Sequence, residues 1–118
     1  MNPPLAIVCD DCATQALLLT RMLAALGYRV QTLAFDQLQL PLAEPPSVVC
    51  VELFGATRNG FKQLRHWRRQ YDCTLLLITA TGRCTDEAWG LLAGAAAVLQ
   101  RPFTVDALVK CLPSVCAQ

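Results

Sequence analysis

A chain of 118 residues is long enough for one domain with a proper hydrophobic core, and 54% hydrophobic against 16% charged residues excludes disorder. The formal net charge of +1 gives no electrostatic reason to expect a nucleic-acid or membrane partner, because phosphate-binding surfaces normally carry a strong basic excess. The N-terminus lacks the features of a signal peptide, and no segment approaches the roughly 18 apolar residues of a membrane span. We therefore expect a cytoplasmic protein.

Predicted strands and helices alternate along the chain, which favours a parallel sheet covered by helices on both faces. The first strand is predicted over Leu5–Cys9, and a helix follows over 14–26 with Gly27 as a left-handed stop. A second strand is predicted over 28–32. The next helix, near 35–42, is expected to be short or irregular because a proline interrupts it.

The second half of the chain continues the alternation. A third strand is predicted over Ser47–Val51, a helix over 60–70 and a fourth strand over Thr74–Ile78. In the helix, the spacing of Trp67 from Phe61 and Leu64 indicates a core-facing side chain.

The last two helices are predicted from their capping residues. Thr85 is the expected N-cap of the fourth helix, which ends by Gly94, and acidic residues follow it in the first turn. A short fifth strand is predicted over 96–99. Thr104 is expected to cap the last helix, over 105–112.

Polar residues follow four of the predicted strands. Asp10 and Asp11 come after the first strand, Glu52 after the third, Thr79 after the fourth and Arg101 after the fifth. The carboxyl ends of parallel strands meet at one edge of a sheet, so we expect these side chains to converge. Three carboxylates close together repel one another, so the group needs a cation, either a hard metal such as Mg²⁺ or a neighbouring guanidinium.

Five short motifs occur in a characteristic order and spacing. They are Val8-Cys9-Asp10-Asp11, Glu52 with Asn59-Gly60-Phe61 beyond it, Ile78-Thr79-Ala80, Ala93-Gly94-Ala95 and Arg101-Pro102-Phe103. In this order the chain resembles, over essentially its whole length, the receiver domain of two-component response regulators. The resemblance implies a single α/β domain over 1–118, with a three-layer, doubly wound, flavodoxin-like sheet of five parallel strands in the order 2-1-3-4-5.

The resemblance also implies roles for particular positions. In the family an acidic pair binds Mg²⁺, and an aspartate ending the third strand accepts phosphate from a histidine kinase. A threonine or serine and a lysine bind the phosphoryl oxygens. Asp10 and Asp11 match the metal pair, and Thr79 matches the switch hydroxyl. Three positions depart from the pattern: Glu52 stands at the phosphoacceptor position, Arg101 at the lysine position and Val98 where an aromatic residue usually rotates on activation.

These departures predict a domain that stays in one conformation and does not switch on phosphorylation. Glutamate carries its carboxylate about 1.5 Å further than aspartate, one extra carbon–carbon bond, and a misplacement of ~1 Å can cost about a hundredfold in rate. Arginine can grip a carboxylate with two parallel donors, which lysine cannot. We therefore expect a Glu52–Arg101 contact that holds one conformation without phosphate. Mg²⁺ at Asp10 and Asp11 is not required in this reading, and Arg101 is an alternative occupant of the metal position.

A partner surface is expected on the fourth helix, fifth strand and last helix. Trp89, Leu92, Val98 and Lys110 lie there with few charges, which favours an apolar docking face for a protein partner or a second copy of the chain. The alternative places Trp89 against its own helix.

The combined prediction is an atypical, phosphorylation-independent receiver domain that regulates through protein interaction or dimerisation and is not an enzyme. Two alternatives stay open. One is a Mg²⁺-dependent phosphoreceiver that still responds to a histidine kinase. The other is a thiol-redox protein that uses Cys9 and Cys12, although the seven cysteines of a cytoplasmic chain are expected to be reduced.

Overall fold

The computed structural model describes residues 3–10, 12–34, 42–53, 60–80 and 84–113, and the side chains of Cys84 and Asp86 are not described. Strands and helices alternate through these ranges. They are β1 Leu5–Cys9, α1 Ala13–Ala25, β2 Arg29–Leu33, β3 Val48–Glu52, α2 Gly60–Gln70, β4 Thr74–Thr79, α3 Cys84–Leu92, β5 Ala97–Gln100 and α4 Val105–Cys111. The helix predicted near 35–42 falls almost wholly on residues 35–41, outside the described ranges.

The five strands form one parallel sheet in the order β2-β1-β3-β4-β5. This confirms the predicted fold class and strand order. The chain moves outward from β1 in both directions, so β1, β3 and β4 are central and β2 and β5 are edge strands. The carboxyl ends of β1, β3, β4 and β5 therefore share one edge.

Alternate side chains of each central strand enter two separate cores, because successive residues of a strand point to opposite faces. Leu75 and Leu77 of β4 join the core that contains Leu64 and Trp67 of α2, whereas Leu76 packs in the other core, with α1 and α4. Burial on both faces explains why these strands are nearly continuous apolar runs. The molecule has three layers, with helices above and below the sheet.

Strand ends differ slightly from the prediction. β3 includes Glu52 and β4 includes Thr79, so both functional candidates are the last residues of strands and not loop residues. Glu52 pairs with Ile78, and Thr79 pairs with Gln100. Their backbones are consequently fixed by the sheet ladder.

Helix caps are partly as predicted. The Thr104 hydroxyl accepts a hydrogen bond from the Ala107 backbone N–H at 3.1 Å, which confirms this N-cap. Gly27 follows α1 with φ +99°, the left-handed conformation that glycine tolerates. The prediction that Thr85 is an N-cap is wrong, because α3 already begins at Cys84 and Thr85 lies inside the helix.

Helix α1 buries Ala16, Leu19 and Leu23, whereas Leu18 is 52% exposed. The helix is apolar around much of its circumference, so spacing alone does not identify the core-facing stripe. Among the described helices, none is both long and apolar enough to cross a membrane.

Candidate functional site

The strand-end residues meet at the carboxyl edge of the sheet. Asp10 directly follows β1, Glu52 ends β3, Thr79 ends β4 and Arg101 directly follows β5. The structure therefore brings together four of the five residues predicted to converge. Asp11 lies outside the described residues.

The side chain of Arg101 bridges two carboxylates. Its Nη2 donates to Asp10 Oδ2 at 2.8 Å, and its Nη1 donates to Glu52 Oε2. The exposed fractions of the three side chains are 15% for Arg101, 3% for Asp10 and 10% for Glu52. Water screens such a site only weakly, and charge-assisted hydrogen bonds of this kind are among the stronger ones in proteins. The predicted Glu52–Arg101 contact is present, and Asp10 is a second partner that the prediction did not include.

Backbone hydrogen bonds hold both ends of this bridge. The Arg101 N–H donates to the Thr79 carbonyl at 2.8 Å, which fixes the start of the arginine side chain at the end of β4. The Arg101–Pro102 peptide bond is cis. On the other side, Asp10 Oδ1 accepts from the Cys12 N–H at 2.8 Å. Both oxygens of Asp10 are therefore already engaged.

The described residues do not fit a divalent-metal site. A Mg²⁺ ion requires near-octahedral oxygen ligands, usually including one or two carboxylates. Here the Asp10 oxygens are bonded to a backbone N–H and to Arg101, and Glu52 also bonds Arg101. Within the described ranges, no group of three or more potential metal-ligating side chains is found. The cation of the site is the guanidinium.

Gly60 allows α2 to start against the end of β3. A Cβ atom at this position would lie 2.6 Å from Leu53 Cα and 2.8 Å from the Glu52 carbonyl oxygen, distances that real Cβ atoms do not show. The Gly60 N–H also donates to the Leu53 carbonyl at 3.1 Å. Glycine is thus required for the close approach that supports the backbone of Glu52. The hydrophobic periodicity of the sequence does not predict such a contact, because folding brings these two segments together.

Val98 lies beneath α3 and not on an open surface. It is partly buried against the core that contains Leu77 and Trp67. A Cβ atom added at Gly90 would lie 2.9 Å from Val98 Cγ2 and 2.8 Å from Leu77 Cδ2, so α3 sits very close to β4 and β5 at Gly90. Val98, predicted as part of the partner face, is therefore partly buried under α3.

The other three partner-face residues are exposed. Trp89 is 58% exposed and Leu92 is 79% exposed, one helical turn apart on α3. Lys110 is exposed on α4. Both helices contact β5, so they flank the edge strand of the sheet. Trp89 is not buried against its own helix.

The cysteines of the thiol-redox alternative lie in different environments. Cys9 is fully buried in the sheet, whereas Cys12 is exposed at the N-cap of α1. Elsewhere, burial raises the pKa of the Cys50 thiol to about 12, so this thiol stays protonated at neutral pH and is a poor nucleophile. Burial also raises the pKa of Cys73 and of Cys111. These environments are typical of packing cysteines.

No family model matches the chain. Among curated proteins, it is 28% identical over 116 residues to protein PilH of Pseudomonas aeruginosa, covering 94% of this chain and 96% of PilH. It also matches the probable transcriptional regulators ycf27 of several algae, for example at 26% identity in Galdieria sulphuraria, but spans less than half of their length.

Two solved structures share the fold closely. A response regulator from Burkholderia pseudomallei with a phosphorylated aspartic acid, calcium ion and citrate superposes with a TM-score of 0.83 at 23% identity, covering 94% of this chain and 67% of that chain. The Vibrio cholerae chemotaxis protein CheY4 gives 0.81 at 22% identity, covering 92% and 94% of the two chains. The chain thus has the fold of response regulator receiver domains, and it is similar to PilH over nearly the full length of both chains.

Proposed function

We propose that residues 1–118 form one atypical receiver domain that is held in a single conformation without phosphate. It acts as a regulatory protein-interaction or dimerisation module and not as an enzyme. The observation that carries the proposal is the Arg101 side chain, which bonds Asp10 and Glu52 at once. The two acidic side chains are thereby paired with a cation of the same chain.

The acid at the end of β3 is poorly placed to accept a phosphoryl group. Glu52 is mostly buried and its Oε2 is bonded to Arg101, so this oxygen would have to leave a charged partner before attacking a phosphorus atom. Phosphoryl transfer depends on in-line positioning of the attacking oxygen. The structural neighbour from Burkholderia pseudomallei carries a phosphorylated aspartic acid, whereas the acid that ends β3 in this chain is glutamate.

The packing around β5 supports a fixed conformation. Val98 occupies the position where the family pattern has a rotating aromatic side chain, and it packs under Gly90 of α3. A β-branched side chain has few rotamers and cannot swing a ring between a buried and an exposed position. Val98 therefore cannot act as the movable group of a switch.

The exposed apolar side chains of α3 supply a surface for a partner. Trp89 and Leu92 lie one turn apart and expose more than half of their surface. Large aromatic and aliphatic side chains on a mostly apolar face are typical of protein-binding surfaces. We propose that a protein partner or a second copy of the chain binds across α3, β5 and α4, with Lys110 at the margin.

Exposure to acetyl phosphate in the presence of Mg²⁺ tests phosphate independence. The wild-type chain should show no added phosphoryl mass in intact-mass spectra, because Glu52 is held by Arg101. The double variant Glu52→Asp/Arg101→Lys should acquire measurable phosphorylation, because it restores the family pattern at both positions.

The Glu52→Gln variant is the control, since it replaces the acceptor carboxylate with a neutral amide. Phosphorylation of the wild type that disappears in Glu52→Gln would instead establish the Mg²⁺-dependent phosphoreceiver. No described feature favours the thiol-redox alternative over these two.

A further inference from the structure

The buried charged side chains at the carboxyl edge of the sheet pair with one another. Asp10 and Glu52 are 3% and 10% exposed, and each would be costly to bury as an unpaired anion. One guanidinium faces both. The planar fork of arginine presents separate N–H groups to two acceptors, which a single ammonium group matches less well.

A divalent cation would have to compete for the same oxygens. Asp10 Oδ1 accepts from the Cys12 N–H, Asp10 Oδ2 accepts from Arg101, and Glu52 Oε2 also accepts from Arg101. A metal at this position would have to displace the guanidinium or lie beside it, and two neighbouring cations repel one another. The backbone bond from the Arg101 N–H to the Thr79 carbonyl keeps the arginine in place.

We infer that Arg101 is the built-in cation of this site and makes the domain independent of divalent metals. The inference rests on the proposed phosphate-free state and goes further, because it concerns metal binding without any phosphodonor. We also expect the opposite result when the guanidinium is removed, because the acidic side chains would then bind a hard divalent cation.

Mn²⁺ binding to the purified chain, followed by the electron paramagnetic resonance signal of free Mn²⁺, tests the inference. The wild type should show no saturable binding, and its melting temperature should not respond to MgCl₂ beyond a control of NaCl at equal ionic strength. Arg101→Met keeps much of the apolar stem and removes the charge. Its melting temperature should fall by roughly 5–15 °C without metal, and Mn²⁺ should bind at least about tenfold more tightly than to wild type.

Three further variants make the result specific. Arg29→Met removes the arginine of a half-exposed pair with Glu44, so it is a matched loss of charge elsewhere and should gain no Mn²⁺ affinity. Asp10→Asn combined with Arg101→Met should lose the affinity gained. If Arg101→Met proves unstable, Arg101→Lys is the second variant. Its single ammonium group cannot bridge both acids as the guanidinium does, so it should fold and bind Mn²⁺ more tightly than wild type.

Saturable Mn²⁺ binding by the wild type would overturn the inference, and so would an Arg101→Met chain that folds and binds no Mn²⁺. Neither result bears on phosphate independence, which the acetyl phosphate experiment tests separately. Conversely, a wild type that is phosphorylated yet binds no Mn²⁺ would overturn the proposed function and leave the metal result standing.

Discussion

Arg101 is the residue on which the site depends. A lysine at this position would present a compact charge to one or the other acid, whereas the guanidinium reaches Asp10 and Glu52 through different nitrogen atoms. Glutamate and arginine therefore act as a matched pair. The added methylene of Glu52 extends its carboxylate towards Arg101. The other nitrogen of the same guanidinium bonds Asp10 at the end of β1, so the arginine links β3 to β1.

Substitution of Glu52 tests how much the buried pair stabilises the fold. Glu52→Gln should lower the free energy of unfolding by about 1–3 kcal/mol, because Arg101 loses one charged acceptor in a mostly buried place. The matched control is Glu44→Gln, which breaks a half-exposed pair with Arg29 and should cost about 0–1 kcal/mol. Urea denaturation of the three proteins measures both values, and equal costs for the two variants would contradict a special role for the buried pair.

At the scale of elements, the position of α3 depends on Gly90. The absence of a side chain lets the helix lie close to β4 and β5, against Leu77 and Val98. Leu77 is fully buried, and Val98 is partly buried and β-branched, so both side chains have little room to move. The contact that fixes the helix also determines where Trp89 is presented.

A double-mutant cycle tests this contact. Gly90→Ala should destabilise the fold by about 1–3 kcal/mol through overcrowding, although alanine is the better helix former. Val98→Ala in the same chain should recover part of this loss, with a coupling energy of about 0.5–1 kcal/mol or more measured by thermal or urea unfolding. Strict additivity of the two changes would show that Gly90 and Val98 do not crowd each other.

At the scale of the whole molecule, large apolar side chains are exposed on α1, α3 and α4 among the described helices. The first surface contains Trp89 and Leu92 on α3 beside the edge strand, and the second contains Leu17 and Leu18 on α1, which are 50% and 52% exposed. The first surface is the proposed partner face. The second provides a control of similar chemistry on a different part of the same fold.

Sedimentation velocity of paired variants distinguishes the two surfaces. Trp89→Ala with Leu92→Ala should abolish self-association or binding to a purified partner, because it removes the large apolar groups of the face. Stability should change by no more than about 0.5–1 kcal/mol, since both side chains are largely exposed. Leu17→Ala with Leu18→Ala should leave association unchanged, and the opposite pattern would move the partner face to α1.

The sequence by itself determined the class of fold, because buried parallel strands must be continuous apolar runs and helices must return the chain to the same edge. It also placed Asp10, Glu52, Thr79 and Arg101 at strand ends, and Thr104 and Gly27 at helix ends. Local patterns were less reliable where the contacts are not local. The start of α3 differed from prediction, and the apolar pattern of α1 does not identify its buried stripe, because neighbouring elements decide which residues are covered.

Only the tertiary structure decided that Arg101 reaches Asp10 as well as Glu52, and that Gly60 and Gly90 permit close approach of helices to the sheet. Asp10 and Arg101 are far apart along the chain, and their distance depends on the strand order and on the register between β1, β3, β4 and β5. A sequence pattern specifies which groups arrive at an edge. The packing of the three layers specifies which of those groups touch.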